Sequence, residues 1–506
     1  MRRLGSSSVG DVNVERGGQS AGPSGLSEQA ALTAARTLVV AGLGDALPLA
    51  VDLGERFSKA GKSLALVGGS VRDALLGRLG HDLDFTTDAR PDEIVALTRN
   101  WADAVWDVGI RFGTVGARVG EFELEITTYR AESYDPESRK PEVSFGDTLA
   151  DDLLRRDFSI NAMALELPEP NFVDLHAGLH DLTDRVLRPP ASAESSFSDD
   201  PLRMMRAARF VSQLGFAVAP DVVEAMKRMA DRIEIVSAER VRDELCKLLM
   251  GEHPRDGLHL LVQTGLAGYV IPEVPALALE IDEHHRHKDV YEHSLTVLEQ
   301  AIELESTHDP KTGPDLVLRL AALLHDIGKP KTRRFEDGGG VSFHHHEVVG
   351  AKLTAKRLRA LRMPNEVVDQ VSELVELHLR FHGYSGGQWT DSAVRRYVRD
   401  AGDQLPRLHK LTRADCTTRN TRKAAALQAS YDSLEQRIAV LSEEEELNSI
   451  RPDLDGNAIM TILDLPPGRD VGAAYKYLLE RRLDRGPVTP EVAEDELRAW
   501  WEQRNA

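Results

Sequence analysis

The stretch LVGGSVRDALLGRLGHDLDFTT, residues 66–87, decides the fold of the first part of the chain. An apolar strand ends at Gly68 and Gly69, a short helix follows, and the next strand carries Asp82 and Asp84. Glycines at a strand–helix junction let backbone N–H groups approach a polyphosphate. Residues at i and i+2 of a strand share one face, so the two aspartates can hold divalent cations together. The stretch therefore predicts a strand–helix–strand unit that binds phosphate and metal.

A third carboxylate usually completes a site of this kind, because phosphoryl transfer uses two cations to activate a hydroxyl and neutralise the leaving group. The segment GTVGARVGEFELEITTYR, residues 113–130, predicts a hairpin with Glu121, Glu123 and Glu125 on one face. We take Glu125 as the candidate, with a solvated acidic strand face as the alternative. Mg²⁺ is the expected ion, since carboxylate oxygens suit it.

The composition is that of a soluble globular protein. The chain has 506 residues, 42% of them hydrophobic and 28% charged, and this length predicts two to four domains. It contains no run of about 18 to 20 apolar residues, so we expect no membrane association. Cys246 and Cys416 are isolated, which predicts neither a disulfide framework nor a thiolate zinc site and favours the cytoplasm.

The formal charge of −20 argues against an indiscriminate polyanion binder. Arginine is nevertheless dense between Arg203 and Arg242. A local basic surface can therefore exist on an acidic chain.

Five motifs follow one another in a fixed order over most of residues 60–250. The chain resembles the class II template-independent nucleotidyltransferases, the family of tRNA CCA-adding enzymes and bacterial poly(A) polymerases. The motifs are LVGGSVRDALLG with DLD, LLRRDFSINAMA at 153–164, DLHAG at 174–178, DDPLRMMRAARF at 199–210 and SAERVRDELCKLL at 237–249.

The resemblance assigns roles to residues of the first two motifs. It implies that Gly68, Gly69 and Arg72 contact the triphosphate. Arg156 can meet phosphate oxygens, and Asp157 can accept a hydrogen bond from a ribose hydroxyl. Without the resemblance, Arg156 and Asp157 would be interpreted as a surface ion pair.

The fourth motif is expected to choose the nucleotide. Asp200 and Arg203 are three residues apart, which predicts neighbours on one helix face. In the family the matching pair hydrogen-bonds the Watson–Crick edge of the incoming base, and the resemblance implies that Arg206 and Arg209 contact its triphosphate. The family often has Glu before the selecting Asp, where this chain has Asp199.

A second constellation of possible metal ligands lies further along the chain. His293, then His325 and Asp326 in LLHDIGK, and finally Asp415 resemble the H…HD…D pattern of the HD-superfamily phosphohydrolases. His346 and His378 add two more imidazoles on predicted helices, and the set suits Mg²⁺, Mn²⁺ or Ni²⁺. The resemblance implies an additional phosphohydrolase activity. The alternative is that the HD region is a helical body that binds tRNA and has no hydrolytic activity.

The expected fold class is α+β, with a small mixed β-sheet and helices in the head and an all-α remainder. The predicted domains are a disordered leader (1–34), a nucleotidyltransferase head (35–190), a helical neck (191–280), an HD domain (281–440) and a helical tail (441–506).

The resemblance leaves a choice between CCA and poly(A) addition. The segment Gly109–Val115, the loop region that follows Glu125 and the attached HD domain are like those of CCA-adding enzymes. Poly(A) polymerases usually have two basic residues before the phenylalanine of that segment, and Ile110 occupies the first of these positions. We therefore expect addition of CCA from CTP and ATP, with release of pyrophosphate, to a tRNA lacking part or all of its 3′ CCA. The alternatives are a poly(A) polymerase, and an HD phosphohydrolase or RNA-binding scaffold with an inactive head.

Overall fold

The computed structural model describes residues 24–106, 113–129, 148–279, 290–308, 313–336, 341–381, 389–418, 420–445 and 450–505. Two compact units divide the chain, and the break between them falls after Asp184. The segment Gly109–Phe112 and the loop at 130–147, both used above to argue for CCA addition, lie outside the described residues.

The first unit combines one sheet with helices. Its elements are α1 (Ser24–Leu43), α2 (Ala46–Lys59), β1 (Leu64–Val67), α3 (Gly69–Leu75), β2 (Asp82–Thr87), α4 (Pro91–Thr98), β3 (Ala104–Trp106), β4 (Thr114–Val119), β5 (Phe122–Thr128), α5 (Leu149–Leu154), a 3-10 turn (Ser159–Asn161), β6 (Met163–Leu167), β7 (Asn171–Asp174) and α6 (Gly178–Asp184).

Its seven strands lie in the order β3-β4-β5-β2-β1-β6-β7. Only β2 and β5 are parallel neighbours, and every other adjacent pair is antiparallel. All four residues of β1 are buried, as expected for a strand with neighbours on both sides. The small mixed sheet expected of the head is therefore present, and β4 and β5 form the predicted hairpin.

The predicted disordered leader is wrong from Ser24 onward, where α1 begins. Ala35, Val39 and Leu43 recur every four residues and are at most 2% exposed. This apolar stripe gives the helix a buried face beyond the predicted leader, and α1 extends back from it to Ser24. Residues 1–23 lie outside the described residues.

The second unit is mostly helical. It contains β8 (Val186–Leu187), α7 (Ala193–Asp199), α8 (Leu202–Leu214), β9 (Ala217–Val218), α9 (Pro220–Met229), a 3-10 helix (Ala230–Ile235), α10 (Ala238–Leu249), α11 (Pro254–Gln263), α12 (Ala267–Val270), a 3-10 helix (Pro275–Leu279), α13 (Val290–Thr307), α14 (Leu316–Leu324), α15 (Lys329–Thr332), β10 (Arg334–Phe335), β11 (Val341–Ser342), α16 (His346–Ala360), α17 (Asn365–Leu377), α18 (Asp391–Ala401), a 3-10 turn (Gly402–Gln404), α19 (Leu405–Ala414), α20 (Thr421–Glu445), α21 (Gly456–Leu463), α22 (Arg469–Arg485) and α23 (Pro490–Asn505).

Two short strand pairs correct the all-α expectation for this unit. β8 pairs with β9 and β10 pairs with β11, over two residues in each case. Strands this short carry almost no periodic signal, so the sequence pattern did not reveal them.

In the described residues no single helix is long and apolar enough to span a membrane. One adjacent pair, Gln29–Leu43 with Ala46–Lys59, meets the length and composition test only jointly and is bent by 108°.

A buried arginine joins the end of a neck helix to two helices of the HD region. Arg319 of α14 binds Glu305 of α13 at 2.7 Å, and each side chain is 5% exposed. The same guanidinium donates to the backbone carbonyls of Leu249 and Gly251, at the end of α10, at 2.7 and 3.1 Å. Arg319 therefore satisfies carbonyls that a helix end leaves without partners.

Replacing Glu305 by Gln should leave Arg319 buried without its counter-charge. We expect the free energy of unfolding to fall by about 3 to 5 kcal/mol, measured from the urea midpoint by circular dichroism. Arg498→Gln is the matched control, since it breaks the exposed i,i+4 pair with Glu494 and should change stability by about 0.5 kcal/mol or less. Equal effects of the two variants would contradict the role given to the buried pair.

Candidate active site and metal centre

Three carboxylates meet on neighbouring strands of the head. In the parallel pairing of β2 with β5, Asp82 lies opposite Glu123 and Asp84 lies opposite Glu125. Residues opposite each other in a ladder present their side chains to the same face, and so do residues two apart on one strand. Ser70 of α3 accepts the backbone N–H of Asp84 at 2.9 Å and ties the helix to this strand. The structure thus brings Asp82, Asp84 and Glu125 together.

The charges around Asp84 fit a divalent cation. Burial raises the pKa of Asp84 to about 6; the positive charge of Arg156 opposes this, whereas the negative charges of Glu125 and Asp82 add to it. Crowded carboxylate oxygens of this kind are stabilised by a hard cation such as Mg²⁺. The residues present therefore fit the magnesium site expected from the sequence.

Gly68 lies where a side chain would be strained and would displace a neighbour. Its φ of +69° is in the left-handed region, and a Cβ there would lie 2.9 Å from Nη1 of Arg156 and 3.5 Å from Oδ2 of Asp84. A side chain would therefore push Arg156 away from the carboxylate whose charge it offsets. Gly69 begins α3 directly beside this contact.

Arg72 is held by a chain of hydrogen bonds that sequence reasoning did not find. Its guanidinium is 8% exposed and donates to both carboxylate oxygens of Asp73 and, at 2.6 Å, to Oδ1 of Asn161. Asn161 in turn donates to Asp157 at 3.0 Å. Asp73 also accepts a hydrogen bond from Arg78 at 3.0 Å. The chain links the first motif to the second and fixes the orientation of Arg72.

Arg156 is oriented by Asp152, four residues earlier, at 2.9 Å. Further along the head, the carboxylate of Asp174 in DLHAG accepts the backbone N–H groups of His176, Gly178 and Leu179. These bonds cap the loop that leads into α6 and leave Asp174 a structural role in the described geometry.

The expectation that Asp200 and Arg203 share one helix face is wrong. Asp200 is extended (φ −144°, ψ 102°) between α7 and α8, because the residue before a proline, here Pro201, is disfavoured in the helical region. Its Oδ1 accepts the N–H of Leu202 at 3.0 Å, and its Oδ2 binds Arg240 of α10 at 2.7 Å. Nη1 of Arg203 donates to Oγ of Ser196 at 2.9 Å. Arg240 of the fifth motif is thus the partner of Asp200 in the fourth motif.

The remaining two arginines of the fourth motif differ in burial. Arg206 is partly exposed, whereas Arg209 is 8% exposed and binds Glu244 of α10 at 3.1 Å. The guanidinium of Arg209 also lies 4.4 Å from the ring centre of Phe210. These contacts give Arg209 a packing role between α8 and α10. Its role as a triphosphate ligand stays a prediction.

Five helices bring six candidate ligands together in the HD region. His293 lies within α13, His325 and Asp326 follow α14, His346 begins α16, His378 follows α17 and Asp415 follows α19. Nδ1 of His325, His346 and His378 lies 2.9, 2.9 and 2.6 Å from the carbonyl oxygen three residues earlier. A carbonyl can only accept, so Nδ1 carries a proton and Nε2 is the ring nitrogen left to face the centre of the cluster. These donors fit a divalent transition metal or Mg²⁺.

The electrostatics of this cluster also favour a cation. Burial lowers the pKa of His325, but the negative charge of Asp326 outweighs it and the pKa rises to about 9. Burial, together with the charge of His325, lowers the pKa of His378 to about 3, so that imidazole stays neutral. Burial raises the pKa of Asp415, but its hydrogen bond with His293 outweighs this and holds the pKa well below its usual range. The two carboxylates thus favour positive charge at this point, either a proton on His325 or a divalent cation in its place.

Comparison with known proteins places these two centres in a family. Family models match for the poly A polymerase head domain (residues 64–188), the probable RNA and SrmB-binding site of polymerase A (215–277) and the HD domain (290–420). An A-adding tRNA nucleotidyltransferase of Deinococcus radiodurans is 33% identical over 448 residues, which are 87% of this chain and 96% of that protein. The chain belongs to the tRNA nucleotidyltransferase family.

Other members of the family differ in the product that their names state. A CC-adding tRNA nucleotidyltransferase of Thermus thermophilus is 32% identical over 87% of this chain and 94% of its own length. A CCA-adding enzyme of Levilactobacillus brevis is 42% identical over 42% of this chain and 53% of its own length. The solved CCA-adding enzyme of Bacillus stearothermophilus, in complex with CTP, superimposes with a TM-score of 0.63 at 25% identity, over 92% of this chain and 99% of that one. The chain is thus a nucleotidyltransferase with an HD domain.

Gly68→Ala should reduce nucleotidyl transfer by roughly 100-fold, because displacing Arg156 misplaces the reacting groups. Gly77→Ala is the matched control: its φ of +67° is nearly the same, but nothing lies within 4 Å of the added Cβ. Both variants should lose about 1 kcal/mol of stability from backbone strain. Single-turnover incorporation from CTP and melting temperatures measure the two effects. A similar loss of activity in both variants would show that strain alone is responsible.

Proposed function

We propose that this nucleotidyltransferase adds C, C and A to tRNA 3′ ends from CTP and ATP. The observation that carries the proposal is the carboxylate group Asp82, Asp84 and Glu125, with Arg156 and Gly68 packed against it. Relatives with A-adding, CC-adding and CCA-adding names support tRNA as the substrate. The poly(A) and inactive-head alternatives are not favoured by these names.

The residues of the head position the triphosphate and the attacking hydroxyl. Asp82, Asp84 and Glu125 would hold Mg²⁺, which activates the tRNA 3′-hydroxyl and neutralises the departing pyrophosphate. The positive charges of Arg156 and Arg72 act to lower the pKa of Asp84. We propose that both side chains also bind phosphate oxygens of the nucleotide. Gly68 and Gly69 keep side chains out of the space that the phosphates need.

We assign base selection to the neck. Asp200 accepts and Arg203 donates hydrogen bonds to the Watson–Crick edge of the base, as the family resemblance implies, and Arg206 contacts the triphosphate. Arg240 orients the carboxylate of Asp200 by their contact of 2.7 Å. We assign Asp157 as the acceptor of a ribose hydroxyl, as the family resemblance implies; the bonds that orient it include those from Asn161 and from the backbone N–H of Phe158 to its Oδ1.

The HD region is proposed to be a second, separate metal centre. Its six candidate ligands would hold Mg²⁺, Mn²⁺ or Ni²⁺, and a metal-bound water there would hydrolyse a phosphate ester. The support is the convergence of imidazole and carboxylate donors on one buried point. We place the protein in the cytoplasm, where tRNA maturation takes place.

A product-length assay tests the proposed activity. Purified protein, Mg²⁺ and a tRNA ending before its CCA should add two nucleotides with CTP alone, one to a tRNA ending in CC with ATP alone, and three with both. Extension then stops. Sequencing gels with each nucleotide supplied separately measure this.

Each other result of the assay would indicate a different enzymatic activity. Addition that ends after CC whatever nucleotide is present would identify a CC-adding enzyme, and activity only on tRNA ending in CC would identify an A-adding one. Long A tails on unrelated RNA would replace the proposal with a poly(A) polymerase. Phosphate release without primer extension would leave only the HD activity.

Glu125 and Glu123 provide a matched test of the third carboxylate. Both are exposed on the same face of β5, but only Glu125 lies opposite Asp84 and raises its pKa. Glu125→Gln should lower transfer by about 10- to 100-fold and raise the Mg²⁺ concentration needed for half-maximal rate. Glu123→Gln should leave both nearly unchanged. A larger effect at Glu123, in initial rates measured across a Mg²⁺ titration, would transfer the role to that residue.

A further inference from the structure

A tryptophan of the head lies in one lateral row with the carboxylates of the sheet. Trp106 of β3 lies opposite Gly116 of β4, which in turn lies opposite Glu125 of β5. Glu125 lies opposite Asp84 of β2. Residues opposite each other in a ladder present their side chains to the same face of the sheet. The indole of Trp106 therefore shares the face on which Asp84 and Glu125 would hold Mg²⁺.

Gly116 makes room for this indole. A Cβ at residue 116 would lie 2.0 Å from Nε1 of Trp106 and 2.2 Å from its Cε2. Gly116 is a strand residue without a positive φ, so its backbone conformation alone does not require glycine. The indole thus fills the place of the missing side chain, and it lies over β4, on the side of Trp106 that leads to Glu125.

The indole lies close to the candidate metal ligands. Neighbouring strands are about 4.8 Å apart, so a ring over β4 is roughly 5 Å from the backbone of Glu125 and roughly 10 Å from that of Asp84, measured across the sheet. A nucleotide whose 3′-hydroxyl meets a cation at these carboxylates extends from it by its ribose and its base. The base of such a nucleotide is therefore within reach of Trp106.

We propose that the last base of the tRNA primer stacks on Trp106. The residue is 37% exposed, and an aromatic ring accepts any base because every base has a flat π-face. This tolerance is needed, because stepwise addition makes the primer end first in the base before the CCA and then in C. The incoming base is assigned above to Asp200 and Arg203, whereas the attacking nucleotide has no contact assigned to it. The inference rests on the proposed function and names the primer contact of the same active site.

The charges beside Trp106 are compatible with RNA. Arg118 is exposed and lies two residues from Gly116 in β4, so both share one face of the sheet. Arg118 lies opposite Glu123, and its positive charge offsets the acidic side chains of β5 and is available to a phosphate of the primer backbone. An aromatic ring beside a positive charge is the usual composition of a surface that binds single-stranded RNA.

Primers with and without their last base test the proposal. The full-length protein is given a tRNA ending before its CCA, either intact or with an abasic ribose as its last nucleotide, which keeps the 3′-hydroxyl. Trp106→Leu should raise the KM for the intact primer, and its Kd by fluorescence anisotropy, about 10-fold, the size expected for one base–aromatic stack. The same variant should change both values for the abasic primer by less than about 2-fold and leave the KM for CTP unchanged. Trp106→Phe keeps an aromatic face and should restore most of the affinity.

Trp101→Leu is the matched control. Trp101 is the other tryptophan of the head, but it donates to Asp52 of α2 at 2.5 Å and lies against the guanidinium of Arg56. This variant should leave the KM and Kd for both primers unchanged. Gly116→Ala, which displaces the indole without removing it, should match Trp106→Leu, and the combined variant should lose no more than either one alone.

Three results would overturn the proposal. An equal loss on intact and abasic primers would show that Trp106 only supports the fold. An increase confined to the KM for CTP would assign the indole to the incoming base, and an equal effect of Trp101→Leu would show that the loss is not specific to this position. The Kd comparison needs no transfer, and sequencing gels of the parent's products test CCA addition separately. A parent that adds only CC or only A would therefore contradict CCA addition, while the base dependence of primer binding still decides the role of Trp106.

Discussion

The register in which β2 lies parallel to β5 places Asp84 directly beside Glu125, and much of the head serves to keep these like charges together. Asp82 adds a third negative charge two residues away. Arg156, held by Asp152, and Arg72, held by Asp73, supply the positive charge that offsets part of the repulsion. What remains is a partly buried carboxylate with a raised pKa, a state that a divalent cation stabilises better than a proton at neutral pH.

The acidic residues of the head could be predicted because period-two alternation assigns strand faces locally. It placed Asp82 and Asp84 on one strand face, and Glu125 on one face together with Glu121 and Glu123. The parallel pairing of their strands could not be predicted, since some 40 residues separate them and no local pattern specifies which strands become neighbours. The link from Arg72 through Asn161 to Asp157 was missed for the same reason: the motif shows the residues, but only the fold shows their partners.

In the neck, a local sequence rule accounts for the conformation of Asp200. Pro201 disfavours the helical conformation in the residue before it. This is a local reason to expect Asp200 outside the helix that contains Arg203. The partners from α10 were harder to predict, although Arg240 and Glu244 are one helical turn apart and so face the same side. That spacing lets one helix hold Asp200 at its first turn and Arg209 at the next. The fifth motif thus supports the fourth.

The HD region differs from the head in how its donors are oriented. His325 and His378 each follow the last residue of a helix, where backbone carbonyls lack partners, and each donates its Nδ1–H to one of them. The helix end thereby fixes the direction of these two rings without a side-chain partner, whereas Nδ1 of His293, within α13, contacts the side-chain hydroxyl of Thr417. An imidazole-rich centre built in this way prefers softer divalent cations than the all-carboxylate centre of the head does.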